Sequence, residues 1–218
     1  MNENLENLIY FGTPIYLVEI PELVNELNKI SDPLIKESKN KNKNFIKNRE
    51  KKFKKKLNDF GITYHSESLI NLQGIKKLKN YVYDRSIEIL NHMGYDLKDH
   101  ILKYDEFWVQ EFSKNGGGYH ETHAHSNTHI SGFYFLKCSD KTSMPVFHDP
   151  RFSKIATQLP LKNIHEITSG SQFINFIPKP GTLVLFPSFL QHQFTIDFGI
   201  DTFRFIHFNL QAVKKNEL

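Results

Sequence analysis

Four histidines, His120, His123, His125 and His129, fall within ten positions, and the chain runs from them directly into Ile130–Leu136, an aromatic and β-prone segment. A strand turns alternate side chains to opposite faces, so an extended segment here sets His123 and His125 side by side. Two imidazoles at the mouth of a strand make half of a metal site, since neutral imidazole is the commonest protein metal ligand. The other half is offered by Pro180–His192, which reads as a turn, an apolar strand and a third histidine, His192, with Arg204 further on. Jelly-roll proteins build sites from such strands. The fold then has to close the long gap between His125 and His192.

The surrounding segments agree with that architecture. Phe107–Phe112, Ile130–Leu136, Thr182–Phe186 and Thr202–Leu210 are short, aromatic and β-branched, with Gly, Pro, Asn and Asp between them. Several such strands with turn signals argue for a sandwich or barrel. Upstream the texture differs. Leu8–Ile20 holds two apolar runs split by Gly12, Thr13 and Pro14, an early strand or strand pair. Pro21 suits a helix N1 position, and Leu23, Val24, Leu27 and Ile30 share a face, which predicts a helix over 21–30. A second helix is predicted over 68–93, where Ile75, Leu78, Val82, Ile89 and Met93 recur at helical spacing and Gly94 can cap the end. The expected fold class is mainly β with N-terminal helices. A strand and helical support over 1–100 would join a double-stranded β-helix (jelly-roll, cupin-like) over 101–218 in one integrated domain.

Composition sets limits on function. With 39% hydrophobic residues and 19 Phe in 218 positions, the chain can bury a real core and is not disordered throughout. The single Cys138 excludes an internal disulfide framework and a cysteine-rich zinc module, and suits a reducing, cytoplasmic location. No apolar run approaches a membrane span, so no membrane partner is expected. The net charge of +4 is concentrated in 36–56, read as a solvated helix and loop. That run lacks the interleaved aromatics of a single-strand stacking platform, which argues against nucleic acid while leaving a polyanion contact open.

Phe11–Tyr16, His123–His125, Ser131–Leu136, Phe147–Arg151, Pro180–His192 and Arg204–Asn209 follow one another over nearly the whole chain. In these segments the sequence resembles the Fe(II)- and 2-oxoglutarate-dependent oxygenases, in an uncharacterised branch. The resemblance implies a double-stranded β-helix that binds Fe(II) and 2-oxoglutarate and reduces O2. The co-substrate would be decarboxylated to succinate while a C–H bond of a second substrate is hydroxylated or otherwise oxidised. His123 falls on the first ligand of the family pattern and His192 on the last. Arg204 falls on the residue that anchors the distal carboxylate of 2-oxoglutarate, a role a guanidinium fills with two parallel charge-assisted hydrogen bonds. The family pattern carries a carboxylate where this chain has His125. Either His125 is itself the second ligand, which is the reading adopted, or Asp149 from an adjacent strand completes the set.

The remaining candidates flank these. His120 and His129 support the ligands or face the substrate, or else lie exposed. Tyr134 is a candidate donor to 2-oxoglutarate, set against a core aromatic. Arg151 would pair with Asp149 or meet an acidic substrate. Asn209 shares a strand face with Phe205 and His207, and Arg204 points the other way if the strand is regular; His148, His165 and His207 read as structural or surface residues. Gly116–Gly118 is a turn before the metal strand or the hinge of a gating loop, and 151–177 a lid or surface decoration. Two rival functions remain: a 2-oxoglutarate-independent cupin-type dioxygenase, and a non-catalytic metal- or ligand-binding jelly-roll. The prime substrate is open between small molecule and macromolecule.

Overall fold

The computed structural model describes residues 11–217; the first apolar run, Leu8–Tyr10, lies outside them. Strand β1 (Tyr16–Glu19) leads through a 3-10 turn at Pro21–Leu23 into α1 (Val24–Phe53). The predicted helix over 21–30 is therefore only the start of a 30-residue helix that continues through the lysine-rich stretch. A narrow buried row explains the extension. Leu27, Ser31, Ile35 and Ser38 recur at intervals of three and four on the packed side, and the lysines take the wet faces. Lys54, at φ 50°, ends the helix in the left-handed conformation. Strand β2 (Thr63–His65) precedes α2 (Lys76–His92). The second helix starts later than residue 68 because the Leu69 N–H is tied to the Phe107 carbonyl at 2.7 Å. Gly94, at φ 87°, closes it as expected: Gly94 N–H reaches the Asn91 carbonyl and Tyr95 N–H the Leu90 carbonyl, the paired bonds of a Schellman end.

The strands that follow are β3 (His100–Phe112), β4 (His120–His123), β5 (Ile130–Lys137), β6 (Pro145–His148), β7 (Phe173–Asn175), β8 (Thr182–Pro187), β9 (His192–Phe194) and β10 (Arg204–Lys214). They form a six-stranded sheet, β1-β8-β5-β10-β3-β2, and a four-stranded sheet, β4-β9-β6-β7, with every pairing antiparallel. Both edges of the larger sheet come from the first 65 residues. The two sheets face one another as a double-stranded β-helix, and α1 and α2 cover the outer face of the larger one.

Strand alternation divides two cores. On β10, Ile206, Phe208 and Leu210 point to the helices, where Leu27, Ile35, Leu78 and Val82 meet them. Phe205 points between the sheets, among Phe112, Phe133, Phe135, Phe186 and Phe194. A sheet covered on both sides has no wet face, so β5 and β8 are buried along almost their whole length and mostly apolar, rather than alternating. Gly132 lies where the layers approach most tightly: an added Cβ would stand 2.4 Å from both the Phe208 ring and the Val184 carbonyl oxygen.

Candidate metal centre

The register of the smaller sheet makes His123, at the end of β4, and His192, at the start of β9, direct cross-strand partners, with ring centroids 4.4 Å apart. His125 lies just past the strand. Its backbone N–H is held by the Ser188 carbonyl at 3.0 Å, which brings its ring within 5.0 Å of His123 and 5.2 Å of His192. One ligand atom from each of the three falls within 4.8 Å of the others. His123 Nδ1 sits 2.7 Å from the Glu121 carbonyl and His192 Nδ1 2.9 Å from that of Leu190. A carbonyl only accepts, so in both rings Nδ1 carries the proton and Nε2 keeps its lone pair for an ion. His192 Nε2 and His125 Nε2 are buried without a hydrogen-bond partner. Buried polar atoms rarely go unpaired, and a cation among these nitrogens would pair them. Burial pushes His192 down to about 3, and burial with the neighbouring His207 pushes His125 down to about 4, so both rings are neutral near pH 7. The donor set fits Fe(II).

His125 is held differently from the other two. The Ser131 hydroxyl donates to Asn209 Oδ1 at 2.6 Å, which turns the amide nitrogen towards Glu106 Oε2 at 2.6 Å and His125 Nδ1 at 3.1 Å. An amide N–H facing Nδ1 leaves the ring proton on Nε2, so His125 has to move that proton before it joins His123 and His192 on an ion.

The expected residues divide on this geometry. His120 lies beside the cluster, its ring centroid 5.9 Å from His123, bonded to the Gln110 amide and stacked on Phe112. Asn209 also lies there, as above. The others do not come to the site. Arg204 points to the helix side of β10, donating to Glu111 Oε2 (2.7 Å from Nε), Asp32 and Asn28, so it does not meet a ligand beside the histidines. The β10 positions facing the cluster are Phe205, His207 and Asn209, none of them a fixed cation. Tyr134 is likewise on the helix side and donates to the Ile20 carbonyl at 2.7 Å. Asp149 does not join the three histidines, and its oxygens are occupied by Arg151 and Lys154, which also accounts for Arg151. His129 accepts from the Ala212 N–H at 3.0 Å and braces the β5–β10 end. Residues 151–177 supply β7, at the edge of the smaller sheet away from β4.

Two residues of the site escaped the sequence reading. His207, expected to be structural or superficial, is buried with its ring 5.0 Å from His125 and 4.5 Å from Trp108. Glu106, on the strand paired with β10, bonds His207 and Asn209. The shared parity of His207 and Asn209 was the available signal; nothing local announced Glu106.

Residues 106–205 match a protein family described as "Putative 2OG-Fe(II) oxygenase", and that span contains all three imidazoles of the centre. Among solved structures the chain is similar to EctD from S. alaskensis with 2-oxoglutarate and 5-hydroxyectoine, at 11% identity and TM-score 0.58, covering 92% of this chain and 73% of that one. It is also similar to a Pseudomonas putida prolyl-4-hydroxylase, at 11% identity and TM-score 0.54, covering 91% and 93%. HygX from Streptomyces hygroscopicus, with nickel and 2-oxoglutarate bound, aligns at 9% identity and TM-score 0.53, covering 91% and 83%. These likenesses are of fold. No curated protein matches the chain. Over residues 106–205 the chain matches the 2OG-Fe(II) oxygenase family, and it shares the fold of solved 2OG-dependent hydroxylases, which supports an oxidoreductase that uses Fe(II) and 2-oxoglutarate. Against the pattern that the resemblance implied, the chain carries His125 where a carboxylate was expected, and its Arg204 is turned to the helices.

Proposed function

We propose that the protein oxidises a C–H bond of a second substrate at a single Fe(II) held by His123, His125 and His192. The observation that carries this is the convergence of three imidazoles, two of them with buried, unpartnered Nε2 atoms. Fe(II), with 2-oxoglutarate as reductant, supplies the O2 chemistry of the class. The protein contributes the ligands, the carbonyls of Glu121 and Leu190 that orient two of them, and the phenylalanine layer that keeps water from behind His192. Three neutral imidazoles leave half of an octahedral ion's positions open, enough for a chelating ligand and O2. Arg204, turned to Glu111 and Asp32, would not reach the far end of a ligand chelated there.

That placement of Arg204 favours a second reading, a dioxygenase that binds its substrate directly and does not consume 2-oxoglutarate. The substrate in either case is a small molecule or a peptide-like chain, the two kinds suggested by the 5-hydroxyectoine bound to EctD and by the prolyl group in the name of the prolyl-4-hydroxylase. A cytoplasmic setting is part of the proposal, supported by the single cysteine. Among the described residues no helix is long and apolar enough to cross a membrane. Anaerobic titration of the metal-free protein with Fe(II) and then 2-oxoglutarate tests the reading. A visible charge-transfer band, with succinate formed on admitting O2, supports it. Fe(II) binding without the band or succinate transfers the assignment to the second reading, and no Fe(II) binding sinks both.

A further inference from the structure

Glu106 belongs to a second constellation beside the first. One ligand atom each from Glu106, His125 and His207 falls within 4.8 Å of the others, giving two imidazoles and a carboxylate. The Glu106 Oε2–His207 Nε2 distance is 3.3 Å. This is long for a charge-assisted hydrogen bond, which runs about 2.7–2.9 Å. It matches two ligands on one ion, since bonds of about 2.0–2.2 Å at tetrahedral or octahedral angles set ligand atoms roughly 3.0–3.5 Å apart. His207 is buried and walled by Trp108 and Phe133, so its ring is fixed, whereas Glu106 is 44% exposed and open to an arriving cation. In the tautomer that Asn209 imposes, the lone pair of His125 Nδ1 faces Asn209, the residue that bonds Glu106. The Asn209 amide now donates to both the carboxylate and the imidazole, and a cation bound there would take its place.

We propose that Glu106, His125 and His207 form a second station for a divalent cation, and that the two stations exclude one another because a neutral His125 has one lone pair to give. The station is anionic and in contact with solvent. The chemistry is that of a 2-histidine-1-carboxylate set, which takes Fe(II) and its first-row neighbours.

Co(II) is the probe, with bound metal counted after gel filtration and its visible spectrum recorded on the full chain. Wild type should bind one Co(II). His192→Ala and His123→Ala each break the three-histidine set, and each should still bind one Co(II) with an altered spectrum. Adding Glu106→Gln to either should weaken binding by about tenfold or more. Glu106→Gln alone should keep one Co(II) on the three histidines; its loss there would support the mixed station but overturn the three-histidine reading. The proposal is overturned if both histidine variants melt as folded proteins yet bind no Co(II), or if Glu106→Gln makes no difference to what they bind. Two Co(II) in wild type would overturn the mutual exclusion.

Discussion

Replacing Arg204 separates a structural role from a co-substrate role. Its guanidinium is 5% exposed and lies 2.6 Å from the Glu111 carboxylate, itself 2% exposed, and 2.6 Å from that of Asp32. Removing one partner of a buried ion pair costs about 3–5 kcal/mol, because the other charge stays buried. Lys39 also holds Glu111 and survives the change, and Asp32 is largely exposed, so the lower end applies. Arg204→Ala should therefore lose about 3 kcal/mol. For a chain of this size, a loss of about 1 kcal/mol lowers the melting temperature by roughly 2–4 °C, which predicts a fall of about 6–12 °C. Thermal unfolding measures that fall, and a 2-oxoglutarate titration of the metal-loaded variant below its transition measures affinity, expected to stay within about twofold of wild type. A variant that melts like wild type and loses 2-oxoglutarate affinity tenfold would refute the reasoning and return Arg204 to the site.

Three further outcomes are expected. Gly132→Ala forces a Cβ against the Val184 carbonyl and the Phe208 ring, and should cost about 3 kcal/mol, read as a matching fall in melting temperature. His192→Ala should abolish product formation in any turnover assay, since the buried member of the three-histidine set is gone. Asp149→Asn should melt below wild type at pH 7. Hydrogen bonds from Arg151, then Lys154, hold the Asp149 carboxyl far below its ordinary value. The stability this gives is complete above the unfolded value near 3.9 and lost as pH falls through the folded one, so the gap between variant and wild type should close below about pH 4.

What the sequence made legible, and what it did not, follows from where each signal resides. The strands of the second half announced themselves by dense aromatic and aliphatic runs, because a sheet buried on both faces admits a polar residue only where a partner meets it, as Asn209 meets Ser131. His123 and His125 were legible as a pair from strand parity, and His192 from the apolar strand before it. Parity also held the answer for Arg204: a residue three positions before His207 on the same strand faces the other way, and the family pattern led away from that. The full length of α1 was hidden because small serines, Ser31 and Ser38, carry part of its buried row and give no hydrophobic period. Glu106 was hidden because its partnership with Asn209 arises only from the pairing of β10 with β3.

That both outer strands of the six-stranded sheet come from the first 65 residues has a consequence for how the chain is made. Tyr16–Glu19 must wait for residues 182–187 before finding its place beside them. At synthesis rates of about 5–20 residues per second, the interval is on the order of ten to thirty seconds. During it the apolar runs of β5, and then β8, emerge without their final neighbours, and such long-range pairing also slows the last step. The unpaired edge of β8 is therefore the hazard, and a version lacking its first twenty residues should accumulate as aggregate through it.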